Sequence, residues 1–168
     1  THLLAAGSRV AVYDPVSCPP RPGLVRIERA ADLTTCDVIV VCAPRPHLQW
    51  VERALVAGVP VVSIGDDLDD VQQMVGLHPV AERHGVAAVL GAGMAPGMSG
   101  LLARHLSAQL HHLEELHVAV HGTAGPECAR QHHDALGDTA LGWHDGAWIE
   151  PPGGSGRELV WFPEPVRA

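Results

Sequence analysis

Short apolar runs alternate with stretches of helical periodicity along the first half of the chain. Residues 37–42 are nearly all apolar, as expected for a strand buried on both faces. In the next segment, residues 47–57, Leu48, Val51 and Leu55 recur at helical spacing, and residues 59–64 form another apolar run. This alternation predicts βαβ units and a parallel sheet, and so an α/β fold.

The predicted strands of this half are short and β-rich, and they cover residues 8–13, 24–27, 37–42, 59–64 and 86–90. A second helix is predicted over residues 67–85, with a break near Gly76 and Pro79. Residues 1–7 have the pattern of the last turns of a helix, with no strand before them. We therefore expect this chain to be a fragment of a longer protein that lacks its first strand.

The pattern changes after Leu90, which predicts a domain boundary after Ala92. A Gly/Pro-rich crossing, Gly91–Gly97, precedes a helix predicted over residues 98–113. The second domain, residues 93–168, is the beginning of an α+β domain, and it is expected to continue beyond Ala168. Its predicted elements are strands over residues 116–121, 147–150 and 158–162, a helix over residues 127–136, and a hairpin turn at residues 143–146 with an aromatic brace.

Composition and charge disfavour several classes of protein. The net charge is −8, and all 11 basic residues are scattered arginines, which argues against a nucleic-acid-binding surface. No apolar run is long enough to predict a membrane helix. The four cysteines lack the spacing of a metal site or a redox pair, and without a secretory signal they indicate reduced thiols in a cytoplasmic protein.

Asp14 is the first candidate functional residue. An acidic residue at the carboxyl end of the second strand of a dinucleotide-binding sheet accepts hydrogen bonds from the adenosine ribose, and its charge favours NAD over NADP. The alternative is an Asp-Pro turn that ends a strand.

The Cys42-Ala43-Pro44 turn is the second candidate, because a small-residue turn after a buried strand lets the backbone approach a cofactor. Its alternative is an ordinary strand-to-helix loop, and Cys42 is not favoured as a nucleophile.

The segment Gly91-Ala92-Gly93-Met94 is the third candidate. Its glycines permit close approach of the backbone to a nicotinamide or substrate, whereas the alternative is an interdomain hinge.

The twelve histidines show neither an HExxH pattern nor zinc spacing, so no metal site is predicted. His121 and His144, beside Gly-rich turns, are the histidines most expected to face a cleft. The four tryptophans are expected to be packing residues.

Four segments carry a resemblance to a known family: 36–43, 57–63, 91–99 (Gly-Ala-Gly-Met-Ala-Pro-Gly-Met-Ser) and 162–166 (Phe-Pro-Glu-Pro-Val). Together with a strand that ends in Asp14, they resemble the saccharopine dehydrogenase-like NAD(P)-dependent oxidoreductases. The resemblance implies that residues 1–92 are part of a Rossmann-type doubly wound parallel sheet. The GxGxxG loop of the family's first strand is absent from this sequence. The family resemblance further implies that the second domain supplies substrate contacts and a homodimer interface.

The resemblance implies a hydride transfer between NAD(P), with NAD favoured, and a small amino-acid or imine-type substrate. Such a reaction needs positioning and a proton source. Candidate proton sources are His121, Glu127 and His144, and the cofactor-binding candidates are Asp14, Cys42, Ala43, Pro44, Gly91, Ala92, Gly93 and Met94. The alternative function is a non-catalytic relative that uses the same fold for ligand sensing or assembly. Neither a nucleic acid nor a membrane is an expected partner.

Overall fold

The computed structural model describes residues 2–16, 21–122 and 125–164, without the side chain of Glu127. Cys18 and the last two residues of the 162–166 run therefore lie outside the described residues. The chain divides into two compact units, Thr1–His105 and Leu106–Ala168. The sequence placed a domain boundary after Ala92, and that domain division stays a prediction.

The first unit contains five short strands and several helices in an alternating order, as the sequence predicts. In chain order they are α1 (His2–Ala5), β1 (Val10–Val12), β2 (Leu24–Arg26), a 3-10 helix (Ala30–Thr35), β3 (Ile39–Val41), α2 (Leu48–Val56), β4 (Val61–Ser63), α3 (Leu68–Val75), α4 (His78–His84), β5 (Ala88–Val89) and α5 (Met98–Ser107), whose last residues cross into the second unit. Every strand is shorter than predicted. The predicted break near Gly76 is confirmed, and the 3-10 helix was not predicted.

All strand pairs of this unit are parallel, which confirms a mixed α/β architecture with parallel sheets. The strands form two separate sheets: β1 pairs with β2, and β3, β4 and β5 form a three-stranded sheet in that order. In the larger sheet, Ile39 is in register with Val61, and Val61 with Ala88. The arrangement is compatible with a Rossmann-like fold.

Helix α2 covers one face of the three-stranded sheet. Its spacing of apolar residues places Val51, Ala54 and Leu55 on one side, and all three are buried. They pack in one cluster with buried side chains of β3, of β4 and the segment before it, and of α3, namely Ile39, Val41, Val59, Val61 and Met74. The prediction that β3 is buried on both faces is wrong, because the side chain that alternates to the opposite face, Val40, is 49% exposed.

The second unit contains α6 (Pro126–Ala135) and a hairpin of β6 (Gly142–His144) and β7 (Ala147–Ile149). The hairpin is antiparallel, and its turn residues Asp145 and Gly146 both have positive φ, as the Asp-Gly turn of a two-residue hairpin requires. Trp143 and Trp148 are cross-strand partners, and their rings lie edge to face 5.2 Å apart. The predicted turn with an aromatic brace is confirmed.

Three predictions for the later elements are wrong. Residues 116–121 and 158–162 are not strands, because alternation of apolar residues predicts an extended backbone but not the partner that a strand needs. The helix that begins at Met98 ends at Ser107 rather than near Leu113. Beyond it, the amides of Gln109 and Leu110 each bond three residues back, so the chain tightens and leaves the α-helical path. No helix among the described residues is both long and apolar enough to span a membrane.

Candidate functional site

The candidate site lies where β3, β4 and β5 end. The turn that contains Cys42, Ala43 and Pro44 follows β3, Ser63 is the last residue of β4, and the Gly91–Gly97 loop follows β5 by one residue. Because the three strands are parallel, these segments leave the sheet at the same edge. Ligands of open α/β sheets bind outside the carboxyl ends of the strands.

His47 is buried between the first two of these segments, with 2% of its surface exposed. Its Nε2 lies 2.6 Å from the carbonyl oxygen of Ala43, and its Nδ1 lies 2.8 Å from Oγ of Ser63. A carbonyl oxygen can only accept, so Nε2 carries a hydrogen and donates it to Ala43. In the neutral ring Nδ1 then accepts from the Ser63 hydroxyl, whose oxygen accepts in turn from the amide of Gly65, 3.2 Å away.

A serine beside a histidine suggests nucleophilic catalysis, but this pair is not arranged for it. Ser63 is completely buried, and an attacking hydroxyl must reach a substrate. The second nitrogen of His47 bonds a backbone carbonyl rather than an acidic side chain. The pair therefore fastens the turn after β3 to the end of β4.

Asp70, on α3, fixes the start of α2. Its carboxylate accepts from the amides of His47, at 2.6 Å, and Leu48, at 3.1 Å, and the residue is only 5% exposed. These amides are among those that a helix leaves without partners at its N-terminus, where a negative charge is also favourable. The N-cap residue His47 makes no side-chain cap of its own. A carboxylate from a neighbouring helix takes that role here.

A cleft of about 400 Å³ opens beside this network between the starts of α2 and α3. Arg45 forms an ion pair with Asp67 at its edge. The amide of Asp70 donates to the Asp67 carboxylate at 2.9 Å, and this hydrogen bond, with the guanidinium of Arg45, lowers the pKa of Asp67. The cleft is lined by charged and polar groups together with Pro46 and Leu48.

The loop after β5 folds tightly on itself and on the end of β4. The amide of Ala92 donates to the Ser63 carbonyl at 2.9 Å, and that of Met98 to the Gly93 carbonyl at 3.0 Å. Gly97 has φ +123°, and a Cβ there would overlap Gly93 and lie 2.7 Å from the carbonyl oxygen of Gly91. A Cβ on Gly93 would lie 3.2 Å from the Pro96 carbonyl oxygen. The backbone therefore requires glycine at position 97, whereas a side chain at Gly93 would make a tight contact that needs the neighbouring backbone to shift by a few tenths of an ångström.

His47 and Ser63 connect two of the three predicted cofactor-binding segments. The connection runs from the Ala43 carbonyl to His47, from His47 to the Ser63 side chain, and from the Ser63 carbonyl to Ala92. Around this connection the predicted residues Cys42, Ala43, Pro44, Ala92 and Met94 are exposed, whereas Gly91 and Gly93 are half-buried. Burial of its sulfur raises the pKa of the Cys42 thiol, although the residue as a whole is exposed. A raised pKa lowers the fraction of reactive thiolate.

The remaining cofactor-binding candidate, Asp14, follows β1 in the separate two-stranded sheet. Its side chain is exposed, and Oδ1 accepts from the amide of Val16 at 2.9 Å. That hydrogen bond is the local turn expected of an Asp-Pro sequence. The described contacts of Asp14 are therefore those of an Asp-Pro turn that ends a strand, which was the alternative to cofactor binding. Its role toward a ribose stays a prediction.

The three candidate proton sources belong to the second unit. His121 is exposed and packs against Phe162, with ring centroids 5.5 Å apart. His144 is exposed at the hairpin turn, where Nε2 lies 3.4 Å from Oδ2 of Asp145. Glu127 is in the first turn of α6, but its side chain lies outside the described residues. The described contacts of these residues do not identify which of the three is the proton source.

Sequence reasoning missed His47, Ser63 and Asp70. Asp70 is 23 residues from His47, and Ser63 is 16 residues from it, so no local spacing reveals the network. One available signal was the position of the serine at the end of an apolar strand, where a polar residue meets the loops of the carboxyl edge. The described residues contain no group of three or more side chains suited to a metal ion.

Comparison with known proteins gives no family assignment. No family model matches the chain, and no curated protein matches it. Three crystal structures of S. aureus homoserine dehydrogenase, at pH 6.0, 7.0 and 8.5, are similar to part of it, each with a TM-score of 0.37 and 20% sequence identity. Each match covers 49% of this chain and 23% of the dehydrogenase, so the chain spans about a quarter of that protein's length. The resemblance to the saccharopine dehydrogenase-like family stays a prediction.

Proposed function

We propose that this chain is part of an NAD(P)-dependent oxidoreductase of the saccharopine dehydrogenase-like kind. Residues 1–92 contribute most of a Rossmann-type dinucleotide-binding domain, and residues 93–168 begin a substrate domain. The complete protein transfers a hydride between NAD(P) and an amino-acid or imine-type substrate. It is a cytoplasmic homodimer, and NAD is the preferred cofactor.

One observation carries the proposal. Two segments that the sequence assigns to cofactor binding, the turn after β3 and the loop after β5, leave the same edge of a parallel sheet. His47 and Ser63 hold them together there through hydrogen bonds of 2.6–2.9 Å. The exposed atoms of both segments form a preorganised surface at the edge where such sheets bind dinucleotides.

The division into two sheets supports the same proposal. A single parallel strand placed between β1 and β3 would join them in the order β2-β1-new strand-β3-β4-β5. That order corresponds to strands 3-2-1-4-5-6 of a dinucleotide-binding sheet, in which strand 1 leads into the glycine-rich phosphate loop. A strand from outside these 168 residues, ending in a GxGxxG-like loop, would account for the separation into two sheets and would supply the phosphate-binding loop.

Cofactor binding by the protein from the complete reading frame tests the proposal, with this chain alone as the comparison. We expect NADH fluorescence to change on binding to the complete protein, and substrate turnover to oxidise or reduce the nicotinamide. The 168-residue chain should bind NADH weakly and self-associate in size exclusion, because in the described part of the chain one edge of β1 and one edge of β3 have no strand partner. Tight NADH binding by a monomer of the 168-residue chain would contradict the inserted strand.

The alternative function is ligand sensing or assembly without catalysis. It shares the fold and the carboxyl-edge surface, so it also predicts that a nucleotide binds. It differs in predicting no change in nicotinamide redox state with any amino-acid or imine substrate. Binding of NADH without turnover across such a substrate panel would favour this alternative.

A further inference from the structure

Cys128 and His132 lie one helical turn apart on α6, and both are exposed. Residues four apart on a helix project from the same face. The Cys128 Sγ and His132 Nδ1 atoms are 3.9 Å apart. We propose that this pair is a two-ligand binding site for Zn²⁺ or a similar divalent transition-metal ion.

The distance fits a shared metal ion. Zinc lies about 2.3 Å from a cysteine sulfur and about 2.0–2.1 Å from a histidine nitrogen, with tetrahedral angles between its ligands. Those values place the sulfur and the nitrogen about 3.5 Å apart when both bind one ion. A small side-chain rotation brings the observed 3.9 Å to that value.

The chemistry of the pair selects the class of ion. A thiolate and an imidazole favour zinc, cobalt, nickel or copper over magnesium and calcium, which take oxygen ligands. On binding, the Cys128 thiol loses its proton to solvent and its sulfur forms the bond to the metal, while His132 donates the lone pair of Nδ1 and keeps its hydrogen on Nε2. Among the described residues no third His, Cys, Asp or Glu side chain joins the pair, so the proposal is limited to these two ligands.

The sequence prediction of no metal site rested on the absence of HExxH and paired-cysteine spacings. Cys-x-x-x-His within a helix is neither, yet it gives the same one-turn separation of ligands that makes HExxH a metal-binding pattern. His133 is the matched comparison, since it is the next residue on α6 and is turned away by about 100°. Cys42 is a second comparison, as an exposed free cysteine on another element.

Cobalt titration tests the site directly, because a cobalt–thiolate bond gives a charge-transfer absorption that histidine ligands alone do not. The protein is prepared reduced and without a histidine tag, and Co²⁺ is added as cobalt chloride. We expect the thiolate band in the wild type, its loss in Cys128→Ser, and an affinity at least about tenfold lower in His132→Ala. Cys42→Ser and His133→Ala should bind as the wild type does. Absence of the band in the wild type, its survival in Cys128→Ser, or equal losses in the two comparison variants would overturn the proposal.

Discussion

His47 Nδ1 lies 2.8 Å from Ser63 Oγ, and this contact joins the loop after β3 to the last residue of β4. Both residues are buried, and both ring nitrogens of His47 have partners. A buried network of this kind stabilises the fold only when its members are paired, and it then fixes the geometry of the groups it connects. Here those groups are the two segments of the proposed cofactor site.

Asp70→Asn should destabilise the first unit. The amides of His47 and Leu48 each bond a different oxygen of the carboxylate, and the NH2 group that replaces one oxygen cannot accept, so one N–H group at the start of α2 loses its partner. We expect the free energy of unfolding in urea to fall by about 1–3 kcal/mol. Asp69→Asn is the control, because Asp69 is an exposed neighbour in the first turn of α3 and should change stability by roughly 0.5 kcal/mol or less. Equal effects of the two substitutions would contradict the role of Asp70.

Gly97→Ala should destabilise the loop after β5. Gly97 has φ +123°, and the added methyl group would overlap the backbone of Gly93. We expect a loss of at least about 2 kcal/mol in the free energy of unfolding. Gly100→Ala is the matched substitution, since Gly100 lies in α5 with open space around its Cβ position. It should raise the free energy of unfolding by about 0.5–1 kcal/mol. A wild-type melting temperature for Gly97→Ala would show that the loop adapts without strain.

Asp14→Ser should reduce the preference of the complete enzyme for NAD over NADP. A carboxylate near a 2′-phosphate costs on the order of 1–3 kcal/mol, and the serine removes that charge while keeping an oxygen for the Val16 amide. The measurement is the ratio of kcat/KM for the two cofactors. Asp37→Ser, at the opposite edge of the larger sheet just before β3, should leave the ratio unchanged. A wild-type preference for NADP would contradict the role given to Asp14.

His117 should titrate above its ordinary value in the folded protein. Its hydrogen bond to Glu115 and the charge of Glu158, 3.6 Å away, raise the pKa of His117 above 6.5. Because the folded-state pKa is the higher one, the stabilising contribution is present below pH 6.5 and is lost as the pH rises through the raised value. Proton NMR of the imidazole signals measures this pKa. Glu115→Gln should lower it and Glu114→Gln should have less effect, and an unshifted wild-type His117 would contradict the contact.

Local patterns predicted the elements that depend on local sequence. The spacing of Leu48, Val51 and Leu55 located α2, and Asp145-Gly146 located the hairpin turn. The strand lengths and the exposure of Val40 were not predictable in this way, because they depend on which segments pair and what covers the sheet. The same is true of the site. The sequence identified the turn after β3 and the loop after β5, but His47 and Asp70 become a network only when α2, β4 and α3 pack together.

The most direct test of the proposed cofactor site is NADH binding by the protein from the complete reading frame, with one enlarged side chain at the carboxyl edge. Ala43→Leu adds an exposed side chain to the turn after β3, where the cofactor is proposed to lie. Ala57→Leu adds the same group at the exposed end of α2, at the opposite edge of the sheet. Fluorescence titration with NADH should give a dissociation constant at least about tenfold higher for Ala43→Leu, a loss of 1.4 kcal/mol, and no change for Ala57→Leu at equal melting temperatures. No NADH binding by the wild type, or equal affinities in all three proteins, would contradict the account.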